Sequence, residues 1–305
     1  MPISKKLNKI ITIILFVIIL IFFSTLHAKN FDKFNKAESI ADYFSGVILL
    51  NQSKYDDSAK YLKRLDGLEK THPIFSIKYL QSLINSGKYN QAFNYSKKME
   101  REKQDSYESD LIIGIYHLKN EKFEISNRYF EKAKNRKSLS VLDNYIVNSL
   151  HLWSMINNLN KDQAITRLNQ FDNRFENLKK IQNVFVNCFF DSNEANFYFE
   201  KLINDKKTDF SRYNYFYANY LNSKKKKEDA KKIIQEALER YPRNLLLNQY
   251  KIDINNVKHK SDFDCKKRNN VVAELIYISA NALSSQSIYS MSNFYLNLSK
   301  FLNAD

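Results

Sequence analysis

Hydrophobic residues recur at helical intervals through most of the chain. Apolar side chains three or four positions apart form one face of an α-helix, which is the pattern of a helix packed on a core. Two clear sets are Leu111, Ile112, Ile115 and Leu118, and Ile233, Ile234, Ala237 and Leu238. Only 4 Gly and 3 Pro occur in 305 residues, so the chain lacks the turn residues that a β-sandwich or barrel needs. The sequence predicts an all-α protein.

The helical pattern is organised by a repeat of 34 residues. A lysine followed by an aromatic residue recurs with the aromatic residue at Tyr55, Tyr89 and Phe123, so both intervals are 34 residues. Gly46 and Gly114 each precede one of these aromatic residues by nine positions. A period of this length is typical of helical pairs that stack on their neighbours. Pairs are predicted over residues 39–70, 73–104, 107–138, 145–172, 176–206 and 211–242, with a degenerate stretch at 139–206.

These features resemble the tetratricopeptide repeat (TPR), a helix-turn-helix unit of 34 residues. The small residue of the first helix is matched by Gly46, Gly114, Ala218 and Ala280, and the alanine of the second helix by Ala92, Ala164, Ala195 and Ala230. Pro242 matches the closing proline, whereas Ser58 and Ser126 stand where the family has alanine. The resemblance covers residues 29–243 and implies a right-handed α-solenoid of about six helical pairs.

The resemblance also implies a concave groove lined by the first helix of each pair. The predicted partner-binding residues are Tyr43, Phe44, Val47, Ile77, Gln81, Leu111, Ile115, Trp153, Tyr215, Phe216 and Asn219. Aromatic and aliphatic groove residues suit an extended peptide or an amphipathic helix, and tryptophan is a frequent binding anchor. The other interpretation is that tight winding buries these side chains against the next pair, and the sequence leaves both open.

Residues 1–28 predict export. Lys5, Lys6 and Lys9 precede an apolar run from Ile10 to Phe23, and Ala28 follows as a candidate cleavage position. The run has the length of a signal-peptide core and is shorter than the roughly 20 residues of a typical membrane span. A cleaved signal peptide is favoured, and an uncleaved inner-membrane anchor is the alternative. Both place the remaining chain outside the cytoplasm, in the periplasm or anchored to the inner membrane.

The chain changes character after the sixth pair. Residues 244–270 predict a helix followed by a polar loop, and residues 271–305 predict a further TPR-like pair with an uncapped end. Solenoids normally finish with a polar capping helix. We therefore expect the sequence to be the N-terminal part of a longer chain; the alternative is that a partner covers its last helix.

Charge and cysteine content add two expectations. Lys and Arg number 48 against 33 Asp and Glu, a formal charge of +15, which suits an acidic partner or contact of basic residues with an anionic membrane surface. A compositional bias towards lysine explains the same excess without function. Cys188 lies in a helical segment and Cys265 in a polar loop, so two unpaired thiols are predicted.

The sequence contains no motif for catalysis, for a metal or for a cofactor, and none is predicted. His117 and His151 lie on neighbouring predicted pairs, but a metal site needs further ligands. The favoured function is a non-catalytic protein–protein interaction scaffold of the bacterial cell envelope. The alternative is the solenoid region of a larger peptidoglycan-active envelope enzyme. An RNA-binding helical repeat is disfavoured because an exported chain meets little RNA, so no nucleic-acid partner is expected.

Overall fold

The computed structural model describes Phe34 and residues 36–137, 139–254 and 263–303. Within these residues the protein has 15 α-helices and no β-strand, and the helices pack in successive pairs. The predicted all-α class is confirmed. The predicted leader, residues 1–28, lies outside the described residues. Among the described helices, none combines the length and the apolar character that crossing a bilayer requires.

The chain divides into two compact units, Met1–Ser86 and Gly87–Asp305. Unit 1 contains three helices, which are α1 (Ala37–Asn51), α2 (Tyr55–Lys63) and α3 (Pro73–Asn85). Helices α1 and α2 form a pair, and α3 packs against both. Pro73 begins α3 at a position where its missing N–H costs the helix no hydrogen bond.

Unit 2 contains the other twelve described helices. They are α4 (Tyr89–Arg101), α5 (Tyr107–Lys119), α6 (Phe123–Lys134), α7 (Val141–Ser154), α8 (Lys161–Asn169), α9 (Glu176–Phe189), α10 (Ala195–Ile203), α11 (Tyr213–Ser223), α12 (Lys227–Arg240), α13 (Leu245–Asp253), α14 (Arg268–Ser285) and α15 (Tyr289–Leu302). The pairs are α5 with α6, α7 with α8, α9 with α10, α11 with α12 and α14 with α15. We call the earlier helix of each pair its first helix.

The turn inside most pairs passes through one residue in the left-handed conformation. In five of the six pairs this residue is Ser53, Glu121, Asp191, Lys225 or Ser287, and Gly87, between α3 and α4, has the same conformation; φ lies between 55° and 72° at all six positions. Ser53, Gly87 and Glu121 follow one another at intervals of 34 residues, so the repeat is visible in the backbone. Only one of these turn residues is glycine, although the conformation costs other L-residues roughly 1–2 kcal/mol.

A buried serine joins the two helices of three pairs. In each case the hydroxyl of the second helix donates to a backbone carbonyl of the first helix, 12 residues earlier. The bonds run from Ser58 to Gly46, from Ser126 to Gly114 and from Ser292 to Ala280, each 2.8 Å long. The serines therefore occupy the alanine position of the repeat without leaving a buried hydroxyl unsatisfied. The last of these bonds shows that α14 and α15 cross in the same way as the earlier pairs.

Glycine at the crossing point lets the second helix approach closely. A Cβ atom at Gly46 would lie 2.6 Å from Cδ2 of Leu62, and one at Gly114 would lie 2.4 Å from Cε1 of Phe130. Both neighbours are fully buried and have little room to move. Two of the four glycines are thus required by packing.

Candidate binding surface on the first helices

The pair α14–α15, which we call the hairpin, packs against first helices of its own unit. Helix α15 contacts α5, and α14 contacts α7 and α9. Together with residues 263–267, which precede it, the hairpin forms the segment 263–302, which we call the hairpin segment. The first helices of unit 2 therefore already hold a helical element supplied by the same chain.

Helix α15 is held by aromatic contacts and by bonds to its own backbone. The ring of Tyr89 lies 4.4 Å from the ring of Phe301, and its hydroxyl donates to the carbonyl of Asn297 at 3.1 Å. At the end of the helix, Nζ of Lys119 donates to the carbonyl of Leu302 at 2.8 Å. That contact places a cation at the C-terminus of α15, where the last carbonyls lack helical partners.

Two buried tyrosines form a second contact between α15 and the first helices. The hydroxyls of Tyr107 and Tyr295 lie 3.3 Å apart, and Tyr295 donates to Oδ1 of Asp143 at 2.5 Å. Burial raises the pKa of Tyr107 and of Tyr295 well above the ordinary value, so both hydroxyls stay protonated at neutral pH. They act here as neutral hydrogen-bond donors and acceptors.

Helix α14 begins with an arginine inserted against two earlier pairs. Arg268 donates to the carbonyl of Ser154 at 2.9 Å, and its guanidinium lies 3.3 Å from the ring centre of Phe123. Burial lowers the pKa of Arg268. The contact with the aromatic face compensates part of the desolvation of this cation.

A two-bond ion pair fixes the middle of α14. Nε and Nη2 of Arg212 donate to the two carboxylate oxygens of Glu274 at 2.9 and 2.8 Å, and the Glu274 side chain is 4% exposed. Arg212 also lies 4.5 Å from the ring centre of Tyr277. Burial lowers the pKa of Arg212, but the hydrogen bonds and charge of Glu274 outweigh it, and the net direction is upward. The pair is geometrically specific because both oxygens are engaged.

The residues just before α14 are bonded covalently to α9. Cys188 and Cys265 form a disulfide with Cα atoms 6.0 Å apart, and Phe263 packs on the rings of Phe185 and Phe216 at 5.2 and 4.4 Å. The prediction of two unpaired thiols is therefore wrong. The polar loop that contains Cys265 returns to α9, a contact between residues 77 positions apart that local sequence pattern does not reveal.

The predicted groove residues of unit 2 are buried in the structure. Their exposure lies between 0 and 8% for Leu111, Ile115, Trp153, Tyr215, Phe216 and Asn219. The indole of Trp153 donates to Oε1 of Gln182 at 3.0 Å, inside the protein. These six side chains pack in the core of unit 2 and offer no free surface.

The predicted groove residues of unit 1 differ in exposure. Gln81 is buried, whereas Tyr43, Val47 and Ile77 are half-buried. The hydroxyl of Tyr43 lies 3.0 Å from Nε2 of His72, which joins α1 to the residue before α3.

The main exposed apolar surface of unit 1 is on α1 and at the start of α3. Phe44 is 59% exposed, and it is flanked by Ile40 at 48% and Ile48 at 52%, four residues away on either side. Ile74 is 55% exposed and follows Ile40 by 34 residues, so it holds the same place in the repeat. Of these four residues, only Phe44 is among the predicted groove residues. The four-residue spacing along one helix face relates Ile40 and Ile48 to Phe44, and the 34-residue interval relates Ile74 to Ile40.

A separate polar cleft of about 980 Å³ lies between α7 and α8. Asn144, Asn148, Gln163 and Arg167 contribute to its lining, with His151 at one side. Nε2 of His151 lies 2.9 Å from a carboxylate oxygen of Glu131. Within the part of the chain that the structure describes, no group of three or more His, Cys, Asp or Glu residues is arranged to hold a metal ion.

No known family model matches this chain, and no curated protein sequence matches it.

Proposed function

We propose that the protein is an exported, non-catalytic interaction scaffold of the bacterial cell envelope. It is built as a right-handed α-solenoid of the tetratricopeptide type and binds a peptide or helix of a partner protein on its first helices. The successive helical pairs, their 34-residue turn spacing and their serine-to-carbonyl crossings support this architecture.

One observation carries the binding proposal. The first helices of unit 2 hold the hairpin, whereas α1 and the start of α3 expose Ile40, Phe44, Ile48 and Ile74 to solvent. Contiguous exposed apolar side chains mark surfaces that another molecule covers. Helix α1 has only two charged residues, Glu38 and Asp42, and Asp42 is buried, so its exposed face is mainly apolar.

The disulfide supports the export proposal. A buried Cys188–Cys265 bond persists in oxidising compartments and is rare in the cytoplasm. The basic and apolar pattern of residues 1–28 points in the same direction. The proposed location is the periplasm, either free or attached to the inner membrane through the leader.

Crosslinking in intact cells tests the proposed function. A photoreactive amino acid is placed at Phe44, and a matched control carries it at Phe197, which is 58% exposed on α10. We expect one envelope protein to be crosslinked from position 44 and not from position 197. When the chain also carries Ile40→Asp and Ile74→Asp, the crosslink from position 44 to that protein should disappear. The proposal is wrong if both positions give the same products or if position 44 gives none.

A further inference from the structure

The exposed residues of α1 occupy positions that contact the hairpin segment in unit 2. The register is set by the small residue where the helices of a pair cross, which is Gly46 in α1 and Ala218 in α11. Phe216 lies two residues before Ala218 and packs on Phe263 at 4.4 Å. Phe44 lies two residues before Gly46 and is 59% exposed. The same position is thus covered in α11 and open in α1.

A second position shows the same relation. Tyr116 lies two residues after Gly114, the crossing residue of α5, and its ring is stacked 6.0 Å from the ring of Phe301 in α15. Ile48 lies two residues after Gly46 and is 52% exposed. The residue that covers this position in unit 2 is an aromatic side chain on a helix.

At a third position the chemistry changes. Arg212 lies six residues before Ala218 and pairs with Glu274 of α14. The corresponding residue of α1 is Ile40, which is 48% exposed. An isoleucine cannot pair with a carboxylate, so the element that covers α1 needs an apolar residue where α14 carries a glutamate.

The surface of α1 has the ridge and groove that helix packing requires. Ile40, Phe44 and Ile48 form a ridge with a spacing of four residues, and the small exposed residues Ala37 and Ala41 lie beside it. When a second helix packs here, this ridge of α1 fits between two rows of side chains on that helix. One row of the second helix then fits into the groove that the small residues leave on α1.

We infer that the exposed face of α1, with the start of α3, binds one amphipathic helix of the partner protein. The helix presents apolar residues three or four positions apart, as α15 does with Phe294, Leu298 and Phe301. This inference rests on the proposed function and specifies its ligand. The template in unit 2 is the hairpin segment, which covers the equivalent positions with Phe301 of α15, with Glu274 of α14 and with Phe263, five residues before α14.

Helix α15 supplies the probe for a direct test. A fluorescent peptide of residues 286–303 is titrated with the full chain, and binding is followed by anisotropy. We expect saturable binding that Ile48→Asp weakens on the order of tenfold or more, because Ile48 holds the position that Phe301 of α15 covers in α5. Phe197→Asp is the matched control and should leave binding unchanged. A peptide with Phe294, Leu298 and Phe301 replaced by Asn should not bind.

Two results would overturn the inference. The first is that the peptide does not bind, or that it binds the Ile48→Asp chain as tightly as the wild type. The helicity of that variant should match the wild type because Ile48 is exposed. The second is that position 44 crosslinks to residues 1–33 of the same chain, to a second copy of the chain or to lipid. Each of these products would show that something other than a partner helix covers the face. If the peptide fails but the crosslink in cells to an envelope protein persists, the helix inference is wrong and the proposed function stands.

Discussion

The Cys188–Cys265 bond should make a large contribution to stability, and its removal is a sharp test of the structure. The bond joins residues 77 positions apart. Closing a loop of that length restricts the unfolded chain and, on the chain-entropy account, contributes about 4.5 kcal/mol; native disulfides typically contribute about 2–4 kcal/mol. Both cysteines are buried, and the bond holds Phe263 over Phe185 and Phe216. We expect reduction to lower the free energy of unfolding by about 2–4.5 kcal/mol.

Urea unfolding followed by far-UV circular dichroism measures this change. The oxidised chain is compared with the same chain in reductant, which removes the bond and leaves every other side chain in place. A Cys188→Ala and Cys265→Ala variant is the control, because reductant should not alter its unfolding curve. Hydrogen exchange should report the greatest loss of protection near the start of α14, which begins three residues after Cys265.

Two results would refute this reasoning. Alkylation of the unreduced, denatured chain that labels both cysteines would show that the bond is absent. Identical unfolding curves with and without reductant, in a chain shown by mass spectrometry to be oxidised, would show that the loop closure adds no stability.

Three further predictions concern the repeat and its titrating groups. Lys225 and Gly87 both have left-handed backbone, with φ of 63° and 72°, and this conformation is unfavourable for residues other than glycine. Lys225→Gly should therefore raise the free energy of unfolding by about 1 kcal/mol, and Gly87→Ala should lower it by a similar amount. Urea unfolding measures both changes. Gly114→Ala should lower stability by about 1–3 kcal/mol, because the new Cβ would lie 2.4 Å from Phe130; a melting temperature equal to the wild type would contradict this. Burial lowers the pKa of His151 in the folded protein below its ordinary 6.5. Below that pH the unfolded state therefore binds more protons at this residue than the folded state does, and the protein is destabilised. Its contribution to stability should be full above about pH 6.5 and lost as pH drops through the lower folded pKa, and His151→Gln should flatten this part of the pH profile.

The burial of Trp153 and Phe216 changes which residues test the binding hypothesis. Both rank among the predicted groove residues, and both are at most 3% exposed in the core of unit 2. Replacing either with alanine would lower stability through a cavity and would confuse lost folding with lost binding. Phe44 is the informative position because its side chain reaches solvent.

The sequence by itself determined the all-α class and the pairing of successive helices. These features depend on short-range relations along the chain. A helix is specified by contacts three or four residues apart, and the crossing of a pair joins residues such as Gly46 and Ser58, only 12 positions apart. The shortage of glycine and proline and the regular lysine–aromatic turns carry the same local information, so a single sequence is enough to interpret them.

Only the tertiary structure decided what covers the first helices. The hairpin could have stacked after α13, but it returns to α5, where Lys119 bonds the carbonyl of Leu302 across 183 residues. The disulfide and the Arg212–Glu274 pair likewise join segments far apart in the sequence. Such contacts follow from the sum of many burial and pairing energies over the folded chain. The hydrophobic period of a helix does not show which distant segment covers it, so the pattern alone did not separate the buried first helices of unit 2 from the exposed face of α1.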